Sequence, residues 1–294
     1  MSKLNNKINF IKEYWIQVFT KAIDDYARGL TPNPDVMCNR EIKFGRLLEK
    51  ILGSSQNDEG VWMATAVDST KDQTYYLSTV PEEKLQRTIF PIGHLTKLQV
   101  RQIANKANLI IANKAESMGL CFVGEKNKFA DFLGEYIDNT PGEIKTIDGH
   151  VIGMDSVPGR TMDLKGTKSL SARFLHFSTH PPPNVRPANH VYFHHRWFVY
   201  KKDVENNSII VVPGSTNLLL FSRKLVARDW IWSWNEPPDG IEQGIDLLGQ
   251  VRYRQVAAVA PGQYVVVWDG NWCLGGGVIE ESVDESDEIT QNEK

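Results

Sequence analysis

Three cysteines in 294 residues are too few for a disulfide framework, and they point to a reducing compartment. Apolar runs are also short. Ile209 to Pro213 is a typical one, and none approaches the ~20 residues a membrane-spanning helix needs. The opening MSKLNNKINF lacks the apolar centre of a secretory signal, and no internal repeat is visible. Charge of one sign is scarce too: the net charge is −3, so charge alone neither indicates nor excludes a phosphate-rich partner. Wholesale disorder is excluded by 41% hydrophobic residues against 23% charged. The length suits two domains or three small ones.

Residues 280–294 hold seven acids and one lysine, which predicts a disordered acidic tail from 281 and leaves residues 1–279 at +3. Upstream, Phe10, Tyr14, Trp15, Val18, Phe19 and Ile23 recur at helical spacing, and this helix stops near Gly29. Thr31-Pro32-Asn33-Pro34-Asp35 is turn chemistry, followed by a helix expected over about Asn39 to Leu52. Val61 to Ala64 reads as a short buried strand, and Thr96 as the cap of a helix over Lys97 to Ala107. Beyond about residue 140 turn signals multiply. The last eighty residues read as all-β, with strands at Ser208 to Val212, Leu248 to Arg254, Tyr264 to Asp269 and Cys273 to Ile279. Residues 156–195 have a triple proline and little periodicity, which predicts an irregular loop.

Among residues that could carry chemistry, Cys38 lies where the second helix is expected to begin, and amides at a helix N-terminus stabilise a thiolate. Asp35, three residues earlier, is near enough to exchange a proton within the turn. The alternative for Cys38 is a small buried hydrophobe. Cys121 sits between Gly119 and Gly124 in an apolar stretch, either open to close ligand approach or a buried strand. Cys273, in Trp272-Cys273-Leu274-Gly275, reads as strand packing. His176, His180, His190, His194 and His195 crowd twenty residues but bracket the triple proline, so no metal site is expected. Lys71-Asp72-Gln73 before Tyr75-Tyr76 could hold a base edge beside a ring, or simply start an element with a core-facing aromatic. Arg252-Tyr253-Arg254-Gln255 could present two guanidinium groups to phosphates, or be a solvated strand face.

Taken together, several motifs resemble the tRNA 2-thiouridylase family. They are Gly29-Leu30-Thr31-Pro32-Asn33-Pro34-Asp35-Val36 with Cys38-Asn39 and Ile42-Lys43-Phe44, then Lys71-Asp72-Gln73, Phe90-Pro91-Ile92-Gly93, Ser117 to Gly124, and Arg252-Tyr253-Arg254-Gln255. Pro261-Gly262-Gln263 and Cys273-Leu274-Gly275-Gly276-Gly277 complete the series. Each motif is weak alone, and their order and number carry the resemblance over most of 9–155 and 197–280. Lys12-Glu13-Tyr14-Trp15 and Arg87-Thr88-Ile89-Phe90 are similar to the mitochondrial branch, which implies a mitochondrial location.

The resemblance implies that ATP, with its associated Mg but no further metal, activates C2 of the wobble uridine of tRNA. Sulfur then replaces the oxygen. Cys121 matches the persulfide carrier, and Cys38 its nucleophilic partner, able to form a disulfide with it. Asp35 matches the acid–base residue. Gln73, Lys71, Arg252, Arg254 and Gln255 match positions expected at the tRNA. The implied partners are tRNA and a persulfide donor, either a cysteine desulfurase or a relay protein, with no membrane. The implied fold is α/β plus β. A truncated PP-loop, Rossmann-like nucleotide-binding domain covers 1–90 and a mixed central domain covers 91–204, including the irregular 156–195. A C-terminal β-barrel follows over 205–280.

Departures from the family pattern accompany the resemblance. The Ser-Gly-Gly-x-Asp-Ser phosphate loop is missing, no Gly-His-Tyr-Ala signature follows Met63-Ala64-Thr65, and residues 156–195 replace a Thr-Ile-Gly-Gln segment. A hairpin's worth of chain is missing after Gln255. The expectation is a truncated chain with exposed apolar surface and poor solubility. The alternative function is a non-catalytic tRNA-binding or persulfide-carrier remnant.

Overall fold

The computed structural model describes residues 9–52, 61–114, 133–137, 142–155, 197–214, 216–222, 224–251 and 259–283. The first helical run covers 11–27, with its turn Trp15–Phe19 wound as π-helix. Val18, Ala22 and Tyr26 repeat at a spacing of four and are all buried, so one stripe of this helix faces the core. It ends as the sequence suggests. Gly29 takes φ +80°, and the Leu30 amide donates back to the Asp25 carbonyl at 2.9 Å.

The second helix corrects the sequence reading. It begins at Pro34 rather than Asn39 and runs through residue 52, with Asn39–Leu47 as π-helix. Asn33 is the cap, accepting from the Val36 amide at 3.3 Å, and Pro34 occupies the first helical position, where its missing N–H costs nothing. Short helices follow at Thr74–Leu77 and Glu82–Leu85. The helix Lys97–Lys106 has the cap expected of it: the Thr96 hydroxyl accepts from the Gln99 amide while the Gln99 side chain accepts from the Thr96 amide. No residue of that helix is buried.

Two four-stranded sheets complete the described fold. Strands β1 (Gly142–Thr146), β2 (Val151–Asp155), β3 (Trp197–Asp203) and β4 (Ser208–Pro213) are ordered β2-β1-β4-β3, with β1 and β4 parallel and the other pairs antiparallel. Strands β5 (Lys224–Trp232), β6 (Leu248–Gln250), β7 (Tyr264–Asp269) and β8 (Trp272–Val283) form an antiparallel sheet ordered β5-β8-β7-β6. The strand expected at Ser208 therefore joins the central sheet, and the boundary expected near 205 falls inside a hairpin. Among the described residues of 1–90 there are helices and one β-bridge, Ala64 to Trp272. The Met63 carbonyl accepts from the Cys273 amide at 2.9 Å, so the segment expected as a strand lies along β8.

That contact reflects a shared core. Val36, Met63, Tyr75, Val80 and Leu85 pack with Tyr264, Val266, Trp268 and Cys273 in one cluster. Each fully buried large side chain contributes roughly 1.5–3 kcal/mol, so the helices at 34–85 and the C-terminal sheet stabilise each other. Among the described residues, no helix is long and apolar enough to cross a membrane.

Candidate functional site

Asp35 and Cys38 stand three apart on the helix that starts at Pro34, a spacing that places side chains on one face with Cβ atoms about 5–6 Å apart. Because the helix starts earlier than the sequence suggests, Asp35 holds the position in the first turn, and Cys38 lies in the second. The reason given above for a stabilised thiolate, open N-terminal amides, therefore does not apply to Cys38. Cys38 is 7% exposed and packs among Val18, Met37 and Ile42, with Phe10 and Tyr14 at the edge. Asp35 is half-buried. Loss of water raises its pKa above the ordinary 3.8, with exposed Lys43 pulling the other way. A carboxyl shifted upward is a better proton donor and acceptor near neutrality than an exposed one.

The loop before this helix is held from two sheets. Thr31, only 1% exposed, donates its amide to the Pro261 carbonyl at 2.8 Å, and its own carbonyl accepts from the Gln263 side-chain amide at 2.8 Å. The Asn33 side-chain amide donates to the other end of Gln263, at 3.5 Å. From the central sheet, the Lys202 ammonium donates to the Thr31 hydroxyl at 2.8 Å and to the Gly29 carbonyl at 3.3 Å. Gly262 has φ +90°, and a Cβ there would lie 2.8 Å from the Thr31 amide nitrogen, so close approach of the two loops requires glycine. Motif pattern had placed Pro261-Gly262-Gln263 in the resemblance without assigning it a contact.

Gln73 precedes the helix Thr74–Leu77, is exposed, and makes no side-chain cap bond. Its neighbour Asp72 is structural: it accepts from the Thr74 amide and hydroxyl, each at 2.9 Å, and from the Ala66 amide. Lys71 is half-buried in the turn before it. Tyr75 and Tyr76 are core-facing, as the plainer of the two readings had it, and Gln73 alone points outward from this run. Asn39, the residue after Cys38, donates to the Tyr76 carbonyl and thereby joins the two segments.

Cys121, Arg252, Arg254 and Gln255 lie outside the described residues, as do the five clustered histidines and the segment 156–195. The structure therefore brings together Asp35, Cys38 and the Lys71-to-Tyr76 segment. The Cys38–Cys121 pairing lies outside what is described. Cys273 is buried in the shared core, where loss of water pushes its thiol up to about 12, so it stays protonated and inert. Among the described residues, no group of three or more His, Cys, Asp or Glu is placed to hold a metal.

A cleft of about 310 Å³ opens beside the loop, lined among others by Asn33, Met37, Arg40, Arg228, Gly262 and Tyr264. Its arginines face acids: Arg28 pairs with Asp25, Arg228 with Asp229, and Arg40 with Glu41 at 2.9 Å. Its electrostatics are thus internally compensated. The helix starts at Pro34 and Lys97 give early amides to Asn33 and Thr96, so neither presents an open phosphate cradle.

Comparison with known proteins gives matches along most of the chain. Residues 4–125 match the family model described as the tRNA methyl transferase HUP domain, and residues 253–279 match that of the aminomethyltransferase beta-barrel domain. The tRNA-specific 2-thiouridylase MnmA of Idiomarina loihiensis is 36% identical, covering 94% of this chain and 79% of its own length. Its namesake in Pseudomonas syringae pv. syringae is 38% identical over 92% and 76%. That of Listeria monocytogenes serotype 4b is 36% identical over 93% and 77%.

Proposed function

The chain belongs to the tRNA-specific 2-thiouridylase family, and on that premise we propose that it transfers sulfur to C2 of the wobble uridine of tRNA. ATP is a substrate in this reading: adenylation of the uridine O2 makes C2 electrophilic, and the adenylate later departs as AMP. No described residue is assigned to the nucleotide or to Mg. Cys121 carries the persulfide whose terminal sulfur attacks C2. The Cys38 thiolate then attacks the Cys121 sulfur, releasing thiouridine and leaving a disulfide between the two cysteines. Asp35 moves the protons. Gln73, Lys71 and the arginines at 252 and 254 contact the tRNA, and a persulfide-bearing donor reloads Cys121. The resemblance to the mitochondrial branch supports a mitochondrial site of action.

One observation carries the local part of this reading. Asp35 and Cys38 share a helix face, and burial has shifted Asp35 toward the range where it can exchange protons at neutral pH. The test is thiouridine formation on unmodified tRNA by the purified chain with ATP and a persulfide donor. Product that disappears in Cys121→Ser and in Cys38→Ser supports the transfer. Persulfide loading on Cys121 without product would make the chain a sulfur carrier. Retained tRNA binding with neither would make it an RNA-binding remnant.

A further inference from the structure

The Gln263 amide stands where the C-terminal sheet meets the loop that leads into Asp35 and Cys38, and we propose that it is a positioning residue for sulfur transfer. This rests on the roles given to Asp35 and Cys38 above. Gln263 is 4% exposed, and both ends of its amide are engaged by one loop: Nε2 donates to the Thr31 carbonyl at 2.8 Å, and Oε1 accepts from Asn33 at 3.5 Å. Asn33 in turn caps the helix through the Val36 amide at 3.3 Å. The chain of contact therefore runs from Gln263 through Asn33 to the helix turn that contains Asp35, with Cys38 three residues on.

Gln263 is itself fixed. The Ile279 amide donates to its carbonyl at 2.7 Å, and the preceding Gly262 amide donates to the Ile279 carbonyl at 2.8 Å, so strand β8 holds the turn from both sides. A buried amide with both ends satisfied by one loop fixes that loop in a single arrangement, since any slip leaves polar groups buried and unpaired. The C-terminal sheet thereby sets the direction in which the helix enters, and with it the aim of the carboxyl and thiol. A displacement of about 1 Å at a reacting group costs on the order of 10²-fold in rate.

The experiment uses the full chain with Gln263→Met, which conserves volume and removes both side-chain bonds. Gln263→Asn, which shortens the amide, is read instead if the first variant does not fold. We expect single-turnover thiolation to fall about 10²-fold while KM for tRNA stays within about two-fold, the pattern of lost geometry rather than lost binding. Peptide-resolved alkylation supplies a readout independent of turnover: Cys38 should react about ten-fold faster, and the core thiol Cys273 should be unchanged. Unchanged turnover in a folded variant overturns the proposal. So does a raised KM with full turnover, which makes Gln263 a tRNA contact, and so does equal acceleration at both cysteines, which makes it a general stabiliser. If Cys38→Ser keeps full activity, the underlying reading has failed instead, and the two failures are distinct.

Discussion

The side-chain amide of Asn39 donates to the backbone carbonyl of Tyr76 at 3.0 Å, tying the residue after Cys38 to the segment after Gln73. Asn39 is buried, so its replacement leaves the Tyr76 carbonyl without this donor and away from water. We expect Asn39→Ala to lower unfolding free energy by about 1–3 kcal/mol in urea titrations. Thiolation should fall further than the lost folded fraction accounts for, because two parts of the site lose their common register. Wild-type turnover in the folded variant would sink this coupling.

Asp35 gives a pH test with a defined sign. Its folded pKa is raised by burial above the ordinary 3.8. The ionised carboxyl therefore weakens the fold: the cost is absent below the ordinary value, grows as pH rises through it, and is complete above the raised folded value. Asp35→Asn should remove that loss, so the gap in stability between variant and wild type widens in the variant's favour from pH 3 to pH 7. Its thiolation should drop about 10²-fold or more. Denaturation at the two pH values, with the activity assay, checks both halves. A variant less stable at pH 7 than at pH 3, relative to wild type, contradicts the assignment.

Cys273 should behave as packing alone. With its thiol pushed up to about 12, alkylation at pH 8 should spare it in the folded chain. Cys273→Ala should retain thiolation at a cost of about 1 kcal/mol in stability. Loss of activity in a folded Cys273→Ala would mean that the core thiol has been misread.

The helix Lys97–Lys106 and the turn after it expose Leu98 (68%), Ile103 (54%) and Ile110 (101%). An apolar surface of this kind promotes association. Sedimentation should show mass rising with concentration, and Leu98→Glu with Ile110→Lys should suppress the rise. A concentration-independent monomer in the unsubstituted chain would refute it.

Local chemistry announced much of this architecture. Thr96 marked a helix start, Gly29 marked a stop, and the apolar run at Tyr264 marked a strand that is seen at Tyr264–Asp269. The start of the Cys38 helix is hidden because Pro32 and Pro34 read as helix breakers, although proline suits the first helical position when asparagine precedes it. The strand at Ser208 was legible as a strand but not in its sheet, since β1 and β4 pair in parallel across a long stretch of sequence. Pro261-Gly262-Gln263 is legible as a motif but its contact with Thr31 is not, because that contact joins distant segments.

That distance has a consequence for biosynthesis. Thr31 and Gln263 are separated by 232 residues. At roughly 5–20 residues per second, a ribosome needs on the order of 10 to 50 s between them. During that interval the helix bearing Asp35 and Cys38 lacks the Pro261 and Gln263 contacts that hold the loop leading into it. On the proposed function, sulfur transfer would therefore wait on translation of the final strands, which supply the last support of the loop before Asp35.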